Sequence, residues 1–222
     1  RASGQRFDGL LRPFDPDGFH FNKPFLAKEV LWSGQLENRP VRLLYNKFPF
    51  ARLHGLLVPE PERRLPQYLR AELHRWAWAL CAHGGVPGLC LGYNSTGAGA
   101  SVNHLHFQSF VEDAGLPVHD PRFEHNGGAL PYPLPCRRFD DAAAAWAHIE
   151  ALHRREHAYD LLYSRHALHC IARLPQDDPQ LDARSRGYGW SEMAGAVTLF
   201  NRADYAAWTG ADFAATLARF AP

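Results

Sequence analysis

Residues 103–108, Asn-His-Leu-His-Phe-Gln, restrict the fold more than any other stretch of this chain. Polar and apolar side chains alternate with a period of two, the period of a β-strand whose successive side chains point to opposite faces. A strand over about residues 102–111 places His104, His106 and Gln108 in one row, with Leu105, Phe107 and Ser109 on the other side. Two imidazoles and a carboxamide in a row suit the handling of a phosphate. One neutral imidazole can attack phosphorus while its neighbours orient it and hold the oxygens. A His-x-His pair can also bind metal, and a chain with 13 histidines produces such pairs readily. No further Cys or His stands at ligand spacing, so no metal is expected.

The flanking segments supply a sheet for this strand. Residues 30–35 and 41–45 read as a hairpin around Glu37-Asn38-Arg39-Pro40, and residues 54–58 as a strand stopped by Pro59 and Pro61. Leu69, Leu73, Trp76, Ala77 and Leu80 recur at helical spacing within 66–83, before the stop at Gly84-Gly85. A strand is predicted over 89–93. Residues 113–139, dense in Pro and Gly, read as a long irregular connection. A second helix is predicted over 142–157, strands over 160–164, 168–174 and 194–200, and a closing helix within 203–220. The mixed order favours an α+β fold, an antiparallel sheet with helices packed on one face. Residues 1–18 read as an N-terminal arm and 19–222 as a single domain.

A net charge of +1 gives no strong field for a polyanion, so neither nucleic acid nor a membrane surface is expected as a partner. A small anion needs only a few local cations. No apolar run is long enough to span a bilayer, and Arg1-Ala2-Ser3-Gly4-Gln5 does not read as a signal peptide. Cys81, Cys90, Cys136 and Cys170 lie far apart without a Cys-x-x-Cys pair, which points to reduced thiols and a cytoplasmic protein.

Two further segments bear on the polar row. The loop Asn94-Ser95-Thr96-Gly97-Ala98-Gly99-Ala100-Ser101 runs into it, with small residues that let backbone N–H groups approach an anion and with hydroxyl and carboxamide donors on Asn94, Ser95, Thr96 and Ser101. Upstream, Asn46-Lys47-Phe48-Pro49 precedes His54-Gly55-Leu56-Leu57-Val58-Pro59. This order, followed by His-x-His, resembles the histidine-triad superfamily. Gln108, where hydrolases of that superfamily carry a third histidine, resembles the transferase and phosphorylase branch, and within it the GDP-hexose phosphorylases. Phe19-His20-Phe21-Asn22-Lys23, Gly92-Tyr93-Asn94-Ser95, Ala100-Ser101-Val102-Asn103-His104-Leu105-His106-Phe107-Gln108, Tyr159-Asp160-Leu161-Leu162 and Trp190-Ser191-Glu192-Met193-Ala194-Gly195 carry the resemblance. It departs at Pro24, which follows Asn22-Lys23, and at Gly187-Tyr188-Gly189.

The resemblance implies a histidine-triad-like sheet and a two-step nucleotidyl transfer without a cofactor. His106 would be the nucleophile, flanked by His104 and Gln108. Asn46 would meet ribose, and His54 would lie behind the row. Lys47, Asn94, Ser95, Thr96, Gly97 and Ser101 would serve the phosphates. The substrates would be a nucleoside diphosphate sugar and inorganic phosphate, and a homodimer is expected by analogy. Phosphorolysis or hydrolysis of dinucleoside polyphosphates or adenylyl sulfate, and nucleotide binding without turnover, stay open at this point.

Overall fold

The computed structural model describes residues 6–112, 115–182, 185–199 and 201–222. Eight strands form one antiparallel sheet: β1 (Val30–Leu36), β2 (Arg39–Tyr45), β3 (Gly55–Pro59), β4 (Leu89–Asn94), β5 (Phe107–Val111), β6 (Cys136–Phe139), β7 (Ala158–Tyr163) and β8 (Leu168–Arg173). Their order across the sheet is β1-β2-β3-β5-β4-β7-β8-β6. The β1–β2 hairpin closes through Glu37 and Asn38, at φ 46° and 59°. Two successive left-handed residues make the tight turn whose twist matches the flanking strands, and Asn tolerates that conformation.

Helices α1 (Ala71–His83) and α2 (Ala142–Arg154) pack on one face of the sheet. Leu73, Trp76, Ala77 and Leu80 of α1 and Ala145, Ile149 and Leu152 of α2 meet Leu57, Leu91, Tyr93, Phe107, Leu161 and Tyr163. Asp141 opens α2 by accepting the Ala144 N–H at 2.7 Å. Leu10 of the N-terminal arm joins the same cluster. The opposite face is covered over its middle by Val118 and Leu134 of the long connection and by Trp190, Met193, Leu217 and Phe220, against Cys90, Phe110, Leu162 and Ile171. All four cysteines are free.

Several predicted boundaries move, each for a local reason. Helix α1 starts at Ala71 instead of 66, because Arg70 is still extended and serves as its N-cap. The connection 113–139 is not wholly irregular: β6 pairs with β8 along the sheet edge. No strand forms at 194–199, and Phe200 lies outside the described residues. Instead α3 (Trp190–Met193) ends in a turn at Gly195, φ 93°. The closing helix is two helices, α4 (Arg202–Ala207) and α5 (Gly210–Ala218). Trp208 between them is extended, and Thr209 and Asp212 cap α5 reciprocally. The polar row is predicted to sit wholly within a strand. Instead β5 begins at Phe107, leaving His104 in a bend and His106 just ahead of the strand. The alternation survives that change, since Leu105 and Phe107 enter the helix-side core.

Candidate active site

Gln108 is paired with Leu56 on β3 and Gly92 on β4, in the centre of the sheet and on the face away from α1 and α2. Glycine at 92 is a steric requirement. A Cβ there would come within 2.4 Å of the Trp190 indole, which is buried and stacked on Phe110 with ring centroids 4.7 Å apart.

His54, just before β3, shares that face. The Phe50 N–H donates to its Nδ1 at 3.3 Å, so the ring proton sits on Nε2 and is donated to Gln108 Oε1 at 2.9 Å. This orients the Gln108 carboxamide: its oxygen is taken, and its NH2 group is the end that can donate to an anion. Burial lowers the pKa of His54, which favours this neutral donor form. The carboxamide nitrogen of Asn46 lies 3.0 Å from the same Nε2, a contact that is no hydrogen bond while Nε2 carries the proton, and its oxygen accepts the Phe48 N–H.

His106 is 7% exposed. Its Nδ1 lies 2.8 Å from the carbonyl oxygen of His104. A carbonyl only accepts, so Nδ1 carries the proton and Nε2 presents its lone pair. Burial holds the pKa of His106 down at about 4, so the ring is neutral near pH 7. The Phe21 ring stands edge-on to it, with centroids 5.0 Å apart. His104 takes the other tautomer. Its Nδ1 accepts the Phe21 N–H at 3.1 Å, and its ring is enclosed by Phe14, His20 and Phe21. Burial, then the neighbouring imidazoles of His106 and His20, lower its pKa to about 4 as well.

The loop after β4 is tied into the fold. Asn94 Oδ1 accepts the Trp190 N–H at 2.8 Å. Ser95 Oγ accepts the Tyr159 N–H and donates to the Thr96 carbonyl, while Thr96 Oγ1 donates to the Gln67 carbonyl. Gly97, at φ 82°, lies against the Phe7 ring, and Ser101 is exposed. Lys47 is paired with Glu29 at 2.8 Å. The structure therefore gathers His104, His106, Gln108, His54 and Asn46, and commits the Asn94, Ser95 and Thr96 side chains to backbone partners. Among the described residues no cluster of three or more His, Cys, Asp or Glu is arranged to hold a metal ion.

Sequence reading assigned no role to Gln67, whose buried side chain bonds the His106 backbone. A lone Gln between Pro66 and Tyr68 carries no periodic signal. Phe21 and Trp190 lay within segments that carried the resemblance, but their contacts with His106 and Gly92 could not be read from the chain.

This arrangement, a central antiparallel sheet presenting a carbonyl-held imidazole and a histidine-oriented carboxamide on one face, defines a histidine-triad-like fold. The fold matches that of the yeast Ap4A phosphorylase Apa2, with a TM-score of 0.61 at 16% identity, over 81% of this chain and 71% of that one. Residues 1–110 match the family model described as GDPGP1-like, N-terminal domain. The chain is 35% identical over 149 residues to GDP-D-glucose phosphorylase 1 of Bos taurus, covering 60% of this chain and 38% of that protein. It is 31% identical over 139 residues to GDP-L-galactose phosphorylase 2 of Arabidopsis thaliana, covering 53% and 32% respectively. The matched part of the chain thus spans only about a third of the length of these curated relatives. Over the matched part the chain is similar to the GDP-hexose phosphorylases, and that part includes the whole His104–Gln108 segment.

Proposed function

We propose that this chain is a nucleotidyltransferase of the phosphorylase type, cleaving a GDP-hexose with inorganic phosphate through a nucleotidyl-His106 intermediate. The observation that carries this reading is the 2.8 Å contact between His106 Nδ1 and the His104 carbonyl. It leaves Nε2 unprotonated in a ring that stays neutral at physiological pH, which is what an imidazole nucleophile requires.

In the first step Nε2 forms a bond to the α-phosphorus. The bond from that phosphorus to the bridging oxygen breaks, and hexose 1-phosphate departs with the electron pair. In the second step an oxygen of inorganic phosphate attacks the α-phosphorus, the P–N bond breaks, its electron pair returns to Nε2, and GDP is released. The Nδ1–H···O=C bond stabilises the positive charge on the ring while the phosphoramidate exists. The NH2 of Gln108 donates to an α-phosphate oxygen, and His54 holds it at the correct angle. Gln108 has no acidic proton to exchange with water, which favours transfer over hydrolysis. We assign Asn46 to the ribose, and the exposed Ser101 together with Lys47, released from its Glu29 partner, to the outer phosphates. We read residues 19–222 as one domain, with Leu10 of the preceding segment packed into its core, and the free thiols suit a cytoplasmic setting.

The test uses GDP-glucose, GDP-mannose, ADP-glucose, diadenosine tetraphosphate and adenylyl sulfate, each radiolabelled, with and without phosphate. The expected result is acid-labile, base-stable label on the protein from a GDP-hexose, loss of label in His106→Asn, and nucleoside diphosphate as product when phosphate is present. Label that persists in His106→Asn removes His106 as nucleophile. Label from another donor alone reassigns the substrate. Binding without turnover of any donor leaves a nucleotide-binding protein.

A further inference from the structure

We infer that Gln67 is a positioning residue for His106: its carboxamide replaces the missing strand pairing where β4 and β5 part, and it sets the peptide from which the nucleophilic ring projects. The inference deepens the proposed nucleotidyl transfer and takes His106 as nucleophile from it.

The sheet register shows why something must stand there. Gly92 of β4 faces Gln108 of β5. Two residues further along the antiparallel ladder, Asn94 comes opposite His106, yet the ladder stops at 92–108. The Gln67 side chain lies in this gap. Its Oε1 accepts the His106 N–H at 2.9 Å, and its Nε2 donates to the carbonyls of Asn94 at 2.9 Å and His106 at 3.2 Å. A side-chain amide has the donor and acceptor of a peptide, so it completes both strand ends while holding them further apart than direct pairing would.

Three successive peptides are fixed in this way by one short segment. The Leu105 N–H donates to the Leu65 carbonyl, which sets the peptide carrying the His104 oxygen. Gln67 binds the N–H on one side of the His106 Cα and the C=O on the other. The acceptor for the ring proton and the Cα that bears the ring are therefore positioned by Leu65 and Gln67 together. Gln67 is itself held. It is 2% exposed, its N–H donates to Asn103 Oδ1, and its carbonyl accepts from the Tyr93 and Thr96 hydroxyls. Every polar group it owns is satisfied, so the carboxamide has one orientation available. In-line attack on phosphorus is sensitive to this geometry, since a displacement of about 1 Å at a reacting group costs on the order of 100-fold in rate.

The experiment compares wild type with Gln67→Met, which keeps the length and bulk and removes the three side-chain bonds, and with Gln67→Asn, which keeps the amide but falls short. Single-turnover labelling from GDP-hexose, GDP affinity, cooperative unfolding and the 15N spectrum of the His106 ring are measured for each. In Gln67→Met we expect labelling slowed by about 100-fold, GDP affinity within about threefold of wild type, and a mixture of ring tautomers in place of one. Gln67→Asn should behave similarly. A folded Gln67→Met with a wild-type labelling rate and a single tautomer overturns the inference. So does a rate that falls only in step with GDP affinity or with the folded fraction. If both variants fail to fold, amide exchange in the wild type decides: the His106 N–H, outside any strand, should be protected as well as those of β5, and rapid exchange overturns the inference. A wild-type chain that takes no label from any donor refutes the proposed transfer, while the tautomer and exchange measurements still test Gln67.

Discussion

Gly92→Ala is a one-carbon change whose cost follows directly from the packing around it. The added Cβ would sit 2.4–2.5 Å from three atoms of the Trp190 indole, over an ångström inside ordinary contact. Trp190 has no easy retreat. It is 2% exposed and stacks on Phe110, and its backbone N–H is bonded to Asn94 Oδ1 at 2.8 Å, which fixes the main chain that carries the ring. The Phe50 ring lies 5.5 Å from it, centroid to centroid, and Met193 belongs to the same buried cluster. Overpacking a buried site costs typically about 1–3 kcal/mol, and with the obstacle a rigid ring we expect about 2–3 kcal/mol. For a chain of this size that is a fall in Tm of roughly 4–12 °C, or a shift in urea midpoint at unchanged slope. A double-mutant cycle isolates the cause. In a Trp190→Leu background, already destabilised by lost burial, the added methyl group finds space and Gly92→Ala should cost under about 0.5 kcal/mol, giving a coupling of about 2 kcal/mol. Because Gly92 pairs with Gln108, the single mutant should also slow labelling of His106, and Trp190→Leu should restore part of that rate to the glycine variant. A Gly92→Ala protein within about 0.5 kcal/mol of wild type, or a cost unchanged by Trp190→Leu, would refute the steric argument.

Other outcomes follow from the same structure. His104, His106 and His153 are held at about 4 and His169 at about 3 by burial, so the native state refuses protons that the unfolded chain accepts near 6.5. Stability should therefore fall as pH drops from about 6.5 towards 4. Asp160, pushed up by burial to about 7 despite Arg173, and Glu192, also raised by burial, oppose this, while His54, His74, His125 and His148, all lowered by burial, add to it; urea midpoints at pH 7, 6 and 5 check the sign. Over the same range single-turnover labelling should stay flat, because His106 Nε2 remains unprotonated until about pH 4; a rate that halves near pH 6.5 contradicts this. Asp141→Ala removes the cap of α2 and should cost about 1 kcal/mol in denaturant unfolding with labelling unchanged. Gln108→His introduces a group that can exchange a proton with water, so product analysis should show a larger share of nucleoside monophosphate over diphosphate; an unchanged ratio removes Gln108 from the choice between water and phosphate.

Much of the framework was legible in local sequence. The turn at Glu37-Asn38, the strand ends at Pro59, the α1 stop at Gly84 and the two faces of residues 104–108 all rest on interactions within a few residues. The misjudged boundaries have distant causes. Helix α3 and the turn at Gly195 replace a strand because Trp190 is drawn onto Gly92, nearly a hundred positions away in the chain. The α4–α5 break depends on a reciprocal cap between Thr209 and Asp212 that helical periodicity does not register. Asn94, Ser95 and Thr96 have the composition of an anion loop, but the backbone groups that engage their side chains belong to β7, α3 and the segment before α1.

By itself, the sequence determined which side chains share a face: a period of two sends His104, His106 and Gln108 one way and Leu105 and Phe107 the other, whatever lies alongside. Only the tertiary structure decided where β5 begins, which imidazole nitrogen carries each proton, and which end of Gln108 is turned outward. Those outcomes depend on the His104 carbonyl, the Phe21 and Phe50 N–H groups, His54 and Gln67. Alternation along a strand is a property of bonded neighbours, whereas a hydrogen-bond partner from a remote segment exists only once the chain has packed.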